Sequence, residues 1–115
     1  MEKRFNEETN TELIKYIDGN WLEKKYLNNK ILLRSSNGLT AEKHFDKKGN
    51  IIYFKDSTGF FFEKKYDKNN NMIYHNKSNN SWCKKNYDKN NNLIYHERSD
   101  KGIILNKNIL FLNNY

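Results

Sequence analysis

The chain has 115 residues, of which 36% are hydrophobic, 30% charged and 15% aromatic, and its mean hydropathy is -1.10. That length bounds one domain with a modest core, and the aromatic content argues against the disorder that so polar a chain would otherwise suggest. The net charge of +7, carried mostly by lysine, favours anionic partners. A lone cysteine, Cys83, excludes an intramolecular disulfide, and no window approaches the ~18 apolar residues of a membrane span.

Residues 1–10, beginning MEKRFNEETN, contain no apolar stretch and read as a flexible N-terminus rather than a secretion signal. The expected compartment is therefore the cytoplasm. Leu13 to Ile17 followed by Asp18-Gly19 predicts a strand and a tight turn, with a short amphipathic helix over Asn6 to Ile17 as the competing reading. From Trp21 onward a repeat takes over. FDKKGNIIYF at Phe45, YDKNNNMIYH at Tyr66 and YDKNNNLIYH at Tyr87 align without gaps, each 21 residues after the last. Ser57, Ser78 and Ser99 keep the same interval, and a degraded copy with a shorter turn runs from Trp21 through Tyr26 to Ser36. The repeats span roughly 21–107.

Each repeat predicts two strands. The first is W-x-x-x-x-Y, at Trp21 to Tyr26, Phe61 to Tyr66 and Trp82 to Tyr87. A D-x-x-G-N turn follows at Asp46, Asp67 and Asp88. Aspartate opens such turns by accepting from backbone amides ahead of it, and Gly49, Asn70 or Asn91 accommodates the left-handed residue. The second strand starts near Ile51, Met72 and Leu93. Connections this short join antiparallel neighbours. Ile103 to Leu105 and Ile109 to Leu112 supply closing strands. The predicted fold is a single all-β domain, an antiparallel meander of about ten short strands built from hairpin repeats. A sheet that wide must be strongly curled, two-layered or homo-oligomeric to hide apolar surface.

The Phe45-Asp46, Tyr66-Asp67 and Tyr87-Asp88 steps, with their G/N-N turns and following I-Y, resemble the YD repeat of RHS-type and teneurin-like proteins. That resemblance implies a β-sheet array, and in that family such arrays form shells or carbohydrate-contacting surfaces. The size, composition and style of the chain are also similar to small phage accessory proteins, among which inhibitors of bacterial defence, including anti-CRISPR proteins, recur.

Lys24, Lys43, Lys64 and Lys85 share one repeat position, three residues after Trp21, Thr40, Phe61 and Trp82. On alternate strands of a meander they form a ladder with steps of about 10 Å. Such a ladder can track a phosphate backbone, or it can simply keep a half-buried strand soluble and its edges unpaired. Lys25, His44 and Lys65 form a partial second ladder on the opposite face. Tyr53, Tyr74 and Tyr95 form an aromatic column of the kind that stabilises sheets. His75 and His96 echo one another but lack the cysteine or carboxylate that would complete a metal site, and the three turn aspartates lack the alternate spacing of a calcium loop. No nucleophile–base pair stands out, so an enzyme and a cofactor are not expected.

The expected function is non-enzymatic binding through one basic, aromatic sheet face, as a phage-encoded, anti-CRISPR-like inhibitor of a nucleic-acid-handling complex in the host cell cytoplasm. Lys24, Lys43, Lys64 and Lys85 would supply charge, while Trp21, Phe61 and Trp82 would supply desolvated anchors. The expected partner is a host protein or protein–nucleic acid complex, or nucleic acid itself, and not a membrane. The alternative is a structural or carbohydrate-contacting repeat module.

Overall fold

The computed structural model describes residues 1–107, so the closing strand expected at Ile109 to Leu112 lies outside the described residues. The fold is all-β: among the described residues eleven strands follow one another as an antiparallel meander in chain order. The chain divides into two compact units, Met1–Phe61 and Phe62–Tyr115.

The N-terminal unit holds β1 (Glu2–Asn6), β2 (Thr11–Lys15), β3 (Trp21–Tyr26), β4 (Lys30–Ser35), β5 (Thr40–Phe45) and β6 (Ile51–Asp56). β1 lies within the stretch expected to be a flexible N-terminus. It pairs with β2 through Glu2↔Lys15, Lys3↔Ile14 and Arg4↔Leu13. Its sequence carries a single large apolar residue, Phe5, and all five positions are exposed, so hydrophobic alternation could not announce it. The turn that follows is built by Asn6, whose side-chain oxygen accepts from the Glu8 and Thr9 amides. The competing helix over Asn6 to Ile17 does not form: β2 occupies its centre, and the apolar Ile17 lies outside the strand, 96% exposed.

The C-terminal unit holds β7 (Phe61–Tyr66) from Phe62 onward, with β8 (Met72–Lys77), β9 (Trp82–Tyr87), β10 (Leu93–Arg98) and β11 (Gly102–Asn106). β3, β7 and β9 have the bounds expected from the W-x-x-x-x-Y pattern.

The turns explain why the meander keeps its order. At Asp46 the amide bonds to the Asn50 carbonyl at 2.9 Å, and the Gly49 amide bonds to the Asp46 carbonyl at 3.1 Å. The fourth residue has positive φ: 88° at Gly49, 67° at Asn70 and 65° at Asn91. This is a type I turn closed by a left-handed residue, whose extra residue produces a bulge. The pairing accordingly shifts between His44 and Phe45, between Lys65 and Tyr66, and between Leu93 and Tyr95, each beside its turn. Asp46, Asp67 and Asp88 each accept two backbone bonds of 2.9 Å, from the residues two and four positions on. Hydrogen bonds from Asn92 and Asn90, against a smaller opposing effect of burial, hold the Asp88 carboxyl below its ordinary value. The aspartates are turn formers, as their spacing implies.

A second hydrogen-bond device closes the opposite end of the hairpins. The Trp21, Thr40 and Trp82 amides each donate to a serine hydroxyl at 3.0 Å, from Ser36, Ser57 and Ser99. Each serine amide returns a bond to the same residue's carbonyl, at 2.8–3.0 Å. One side chain thereby satisfies a strand-end donor that the ladder leaves over.

Core is scarce. Among the described residues only Ile14, at 5% exposure, and Cys83, at 7%, are buried hydrophobic side chains. Most strand positions are half-buried, covered by neighbours on the same face. Long cations contribute to that cover: the Arg34 guanidinium lies 5.5 Å from the Trp21 ring centre, and the Lys84 ammonium lies 5.0 Å from that of Trp82. Cation–π contacts of this exposed kind contribute about 0.5–1 kcal/mol each, and the alkyl stems add apolar contact.

Candidate anion-binding face

Strand alternation sends residues i and i+2 to one face and i+1 to the other, so the register decides which candidate residues meet. In the N-terminal unit Lys24 is paired with Glu12 on one side and Leu33 on the other. Lys43 is paired with Ile31 and Phe54. Both lysines share a face with the buried Ile14 and are themselves half-buried. Trp21 is paired with Lys15 and lies on the opposite face with Glu23 and Arg34. Lys25 and His44 lie on that face as well, so the partial second ladder has its expected side. His44 contacts Glu42 at 3.3 Å and meets the edge of Tyr53, with ring centres 4.9 Å apart.

In the C-terminal unit Lys64 and Lys85 again share a face, and Trp82 lies on the other. Phe61, three positions before Lys64 on β7, also alternates away from it. The expectation that lysines and tryptophans combine on one basic and aromatic surface is therefore corrected: an interval of three residues along a strand changes the face. The ladder is also staggered. The row containing Lys64 runs through His75 to Cys83, whereas Lys85 lies two residues farther along β9. Like charges directly opposite one another repel, and the stagger keeps these two lysines in different rows.

What surrounds Lys64 and Lys85 defines the candidate site. Lys64 is paired with His75, and Lys85 with His96. Lys77 lies on the same face opposite Phe62, and Arg98 lies opposite Cys83. Lys64, His75, Lys77, Lys85, His96 and Arg98 thus share one sheet face across β7 to β10. Among the described strand residues of that face none is Asp or Glu; Arg98 reaches Asp100 in the adjoining turn at 2.8 Å. The Lys64 ammonium lies 5.0 Å from the Phe62 ring centre. Burial, followed by the charges of Lys77, Lys64 and Lys85, holds the His75 imidazole below its ordinary value. Burial, followed by Lys85 and Arg98, does the same to His96.

Both histidines were read from the sequence only as a repeat echo. The signal that places them beside lysines was present in the hairpin spacing: folding β7 onto β8 and β9 onto β10 about their Asp turns brings Lys64 to His75 and Lys85 to His96. Among the described residues no group of three His, Cys, Asp or Glu is placed to hold a metal ion. The surrounding ammonium groups also repel cations.

The opposite face of the same unit is mixed in charge. Tyr74 and Tyr95 share it with Trp82, and Lys84 is paired with Tyr74 and with Glu97. The Lys65 ammonium lies 5.4 Å from the Tyr74 ring centre, and the Tyr95 hydroxyl donates to Glu97 at 2.8 Å. These rings are engaged by neighbouring side chains, as a stabilising column requires. In the N-terminal unit a shallow depression of about 640 Å³ lies among Glu23, Lys25, Arg34, Glu42 and Lys55, where acids and bases alternate. Comparison with protein-family models and with curated proteins finds no match to this chain.

Proposed function

We propose that this is a non-enzymatic binding protein that engages an anionic partner through the Lys64–His75–Lys85–His96 face of its C-terminal unit. The observation that carries the reading is the gathering of six cationic or protonatable side chains on one sheet face whose strands contribute no carboxylate. A soluble sheet needs charge, but it does not need charge of one sign on one face.

In this reading the repeat-built sheet curls, adds a second layer or dimerises to protect its thin core. The protein acts as a phage- or mobile-element-encoded inhibitor of a host nucleic-acid-handling complex, in the manner of anti-CRISPR proteins. The YD-like turn pattern and the small, lysine-rich chain support that assignment by resemblance. Tyr74, Tyr95 and Trp82, gathered on the other face, favour a second reading as a structural or carbohydrate-contacting module.

Fluorescence anisotropy with short DNA and RNA at low and physiological salt separates the two. Binding that weakens steeply with salt supports the basic face. Salt-independent glycan binding, with no nucleic-acid binding even at low salt, would replace it with the second reading.

A further inference from the structure

We propose, building on that reading, that the basic face takes the phosphate backbone of a single nucleic-acid strand directly, and that His75 and His96 serve as proton-gated contacts that tighten its grip as pH falls.

The first support is arrangement. Lys64, His75, Cys83 and Arg98 form one row across four strands, and Lys85 and His96 lie in the next row. At about 4.8 Å per strand the first row extends about 14 Å, long enough for several phosphates of one strand rather than a single anion. Each histidine thus stands beside a lysine in its own row, so a backbone crossing the strands meets ammonium and imidazole groups together.

The second support concerns what the face lacks. Protein–protein interfaces concentrate their energy in apolar or aromatic anchors. None of the exposed large hydrophobic residues of the described chain lies on β8, β9 or β10, or on β7. A surface with charges and no exposed anchor suits a polyelectrolyte, whose binding is driven by counterion release.

The third support is the setting of the imidazoles. His75 faces Lys64 on β7, Cys83 and the offset Lys85 on β9, and Lys77 on its own strand. His96 faces Lys85 on β9 and Leu105 on β11, with Arg98 on its own strand. The charges that act on the rings are those of Lys77, Lys64 and Lys85 on His75 and of Lys85 and Arg98 on His96. Arg98 is itself paired to Asp100. Burial together with these cations keeps the rings neutral more readily than usual. A phosphate laid across them reverses that field and favours the protonated ring. Binding therefore takes up protons, and by linkage affinity rises as pH falls through the imidazole range.

The test is anisotropy with a short labelled oligo(dT), whose bases do not titrate in the range used, across a salt series at about pH 8 and about pH 5. Each imidazolium adds one phosphate contact, and a single-strand contact contributes about 0.7 to the log–log salt slope. The slope is expected to steepen by about 1.4 at the lower pH, and His75→Asn with His96→Asn should abolish the change. Proton NMR titration of the wild-type protein gives a readout that needs no variant. Adding oligo(dT) should raise the midpoints of His75 and His96. Salt-dependent binding with the same slope and unmoved histidine midpoints at both pH values would overturn this inference while leaving the basic-face reading standing. No binding at either pH would overturn both.

Discussion

The two units put the same repeat lysine into different company. In the N-terminal unit three basic residues face acidic ones across the ladder: Lys24 faces Glu12, Lys55 faces Glu42, and Arg34 faces Glu23 in an ion pair of 3.2 Å. Lys43 lies between the apolar Ile31 and Phe54. In the C-terminal unit Lys64 and Lys85 face imidazoles, with Lys77 and Arg98 nearby. The strand acids of this unit lie on the opposite face, where Glu63 meets Asn76 and Glu97 meets Lys84. A repeat position therefore does not define a site. Charge becomes available to a partner only where the cross-strand residue fails to neutralise it, and partner choice follows the second strand of each hairpin.

The largest expected effect breaks this comparison directly. Lys64→Ser with Lys85→Ser should shallow the salt slope of oligonucleotide binding by about 1.4, about 0.7 for each single-strand phosphate contact removed. Lys24→Ser with Lys55→Ser, at cations that face Glu12 and Glu42, should leave the slope nearly unchanged. Equal losses from the two pairs, measured by anisotropy, would show that the units share one binding surface.

Packing supplies the next contrast. Ile14→Ala removes most of a buried aliphatic side chain from the N-terminal unit and should cost about 2 kcal/mol or more in urea unfolding. Cys83→Ala removes only a sulfur from the corresponding row of the C-terminal unit and should cost less. The reverse order would mean that the C-terminal unit carries more of the cooperative core than its burial implies.

Turn chemistry sharpens the comparison further. Gly49→Ala places a Cβ at a φ of 88°, which should cost about 1–2 kcal/mol. Asn91→Ala gives up the side chain best suited to the same geometry and should cost less, because Asn91 already carries a Cβ at 65°. Ser99→Ala removes the 3.0 Å bond to the Trp82 amide and should cost about 1 kcal/mol. Ser36→Ala tests the equivalent bond to Trp21.

The smallest effect is the pH dependence of stability. His75 and His96 resist protonation in the fold, so the unfolded chain binds more protons through the imidazole range. Their contribution is fully present above the ordinary value of about 6.5 and is lost as pH falls through the lowered folded values. Thermal melts should therefore show stability falling on acidification through that range, and exchanging both histidines for Asn should flatten the profile. A wild-type profile that is flat there would contradict the electrostatic setting described for the face.

Much of the strand pattern was legible because turns and alternation are local. Asp46, Asp67 and Asp88 announce turns whose hydrogen bonds lie within five residues, and the bounds of β3, β7 and β9 follow from aromatic residues at each end. β1 escaped notice because Glu2 to Asn6 form a strand through ladder pairing with β2, with hardly any buried side chain to mark it. The expected site was half legible. The lysine position was visible as a repeat, but its three-residue offset from Trp21, Phe61 and Trp82 already placed the two sets on opposite faces. The histidines required the hairpin to be folded in register before they joined the lysines.

By itself the amino-acid sequence determined the strand–turn rhythm of this protein, since aspartate, glycine and asparagine at a turn act on their own backbone. It also determined the excess of positive charge. Only the tertiary structure decided which cations are neutralised by Glu12, Glu23 or Glu42 and which gather around His75 and His96. That outcome depends on register, and a shift of one residue in the pairing would send each of those side chains to the other face.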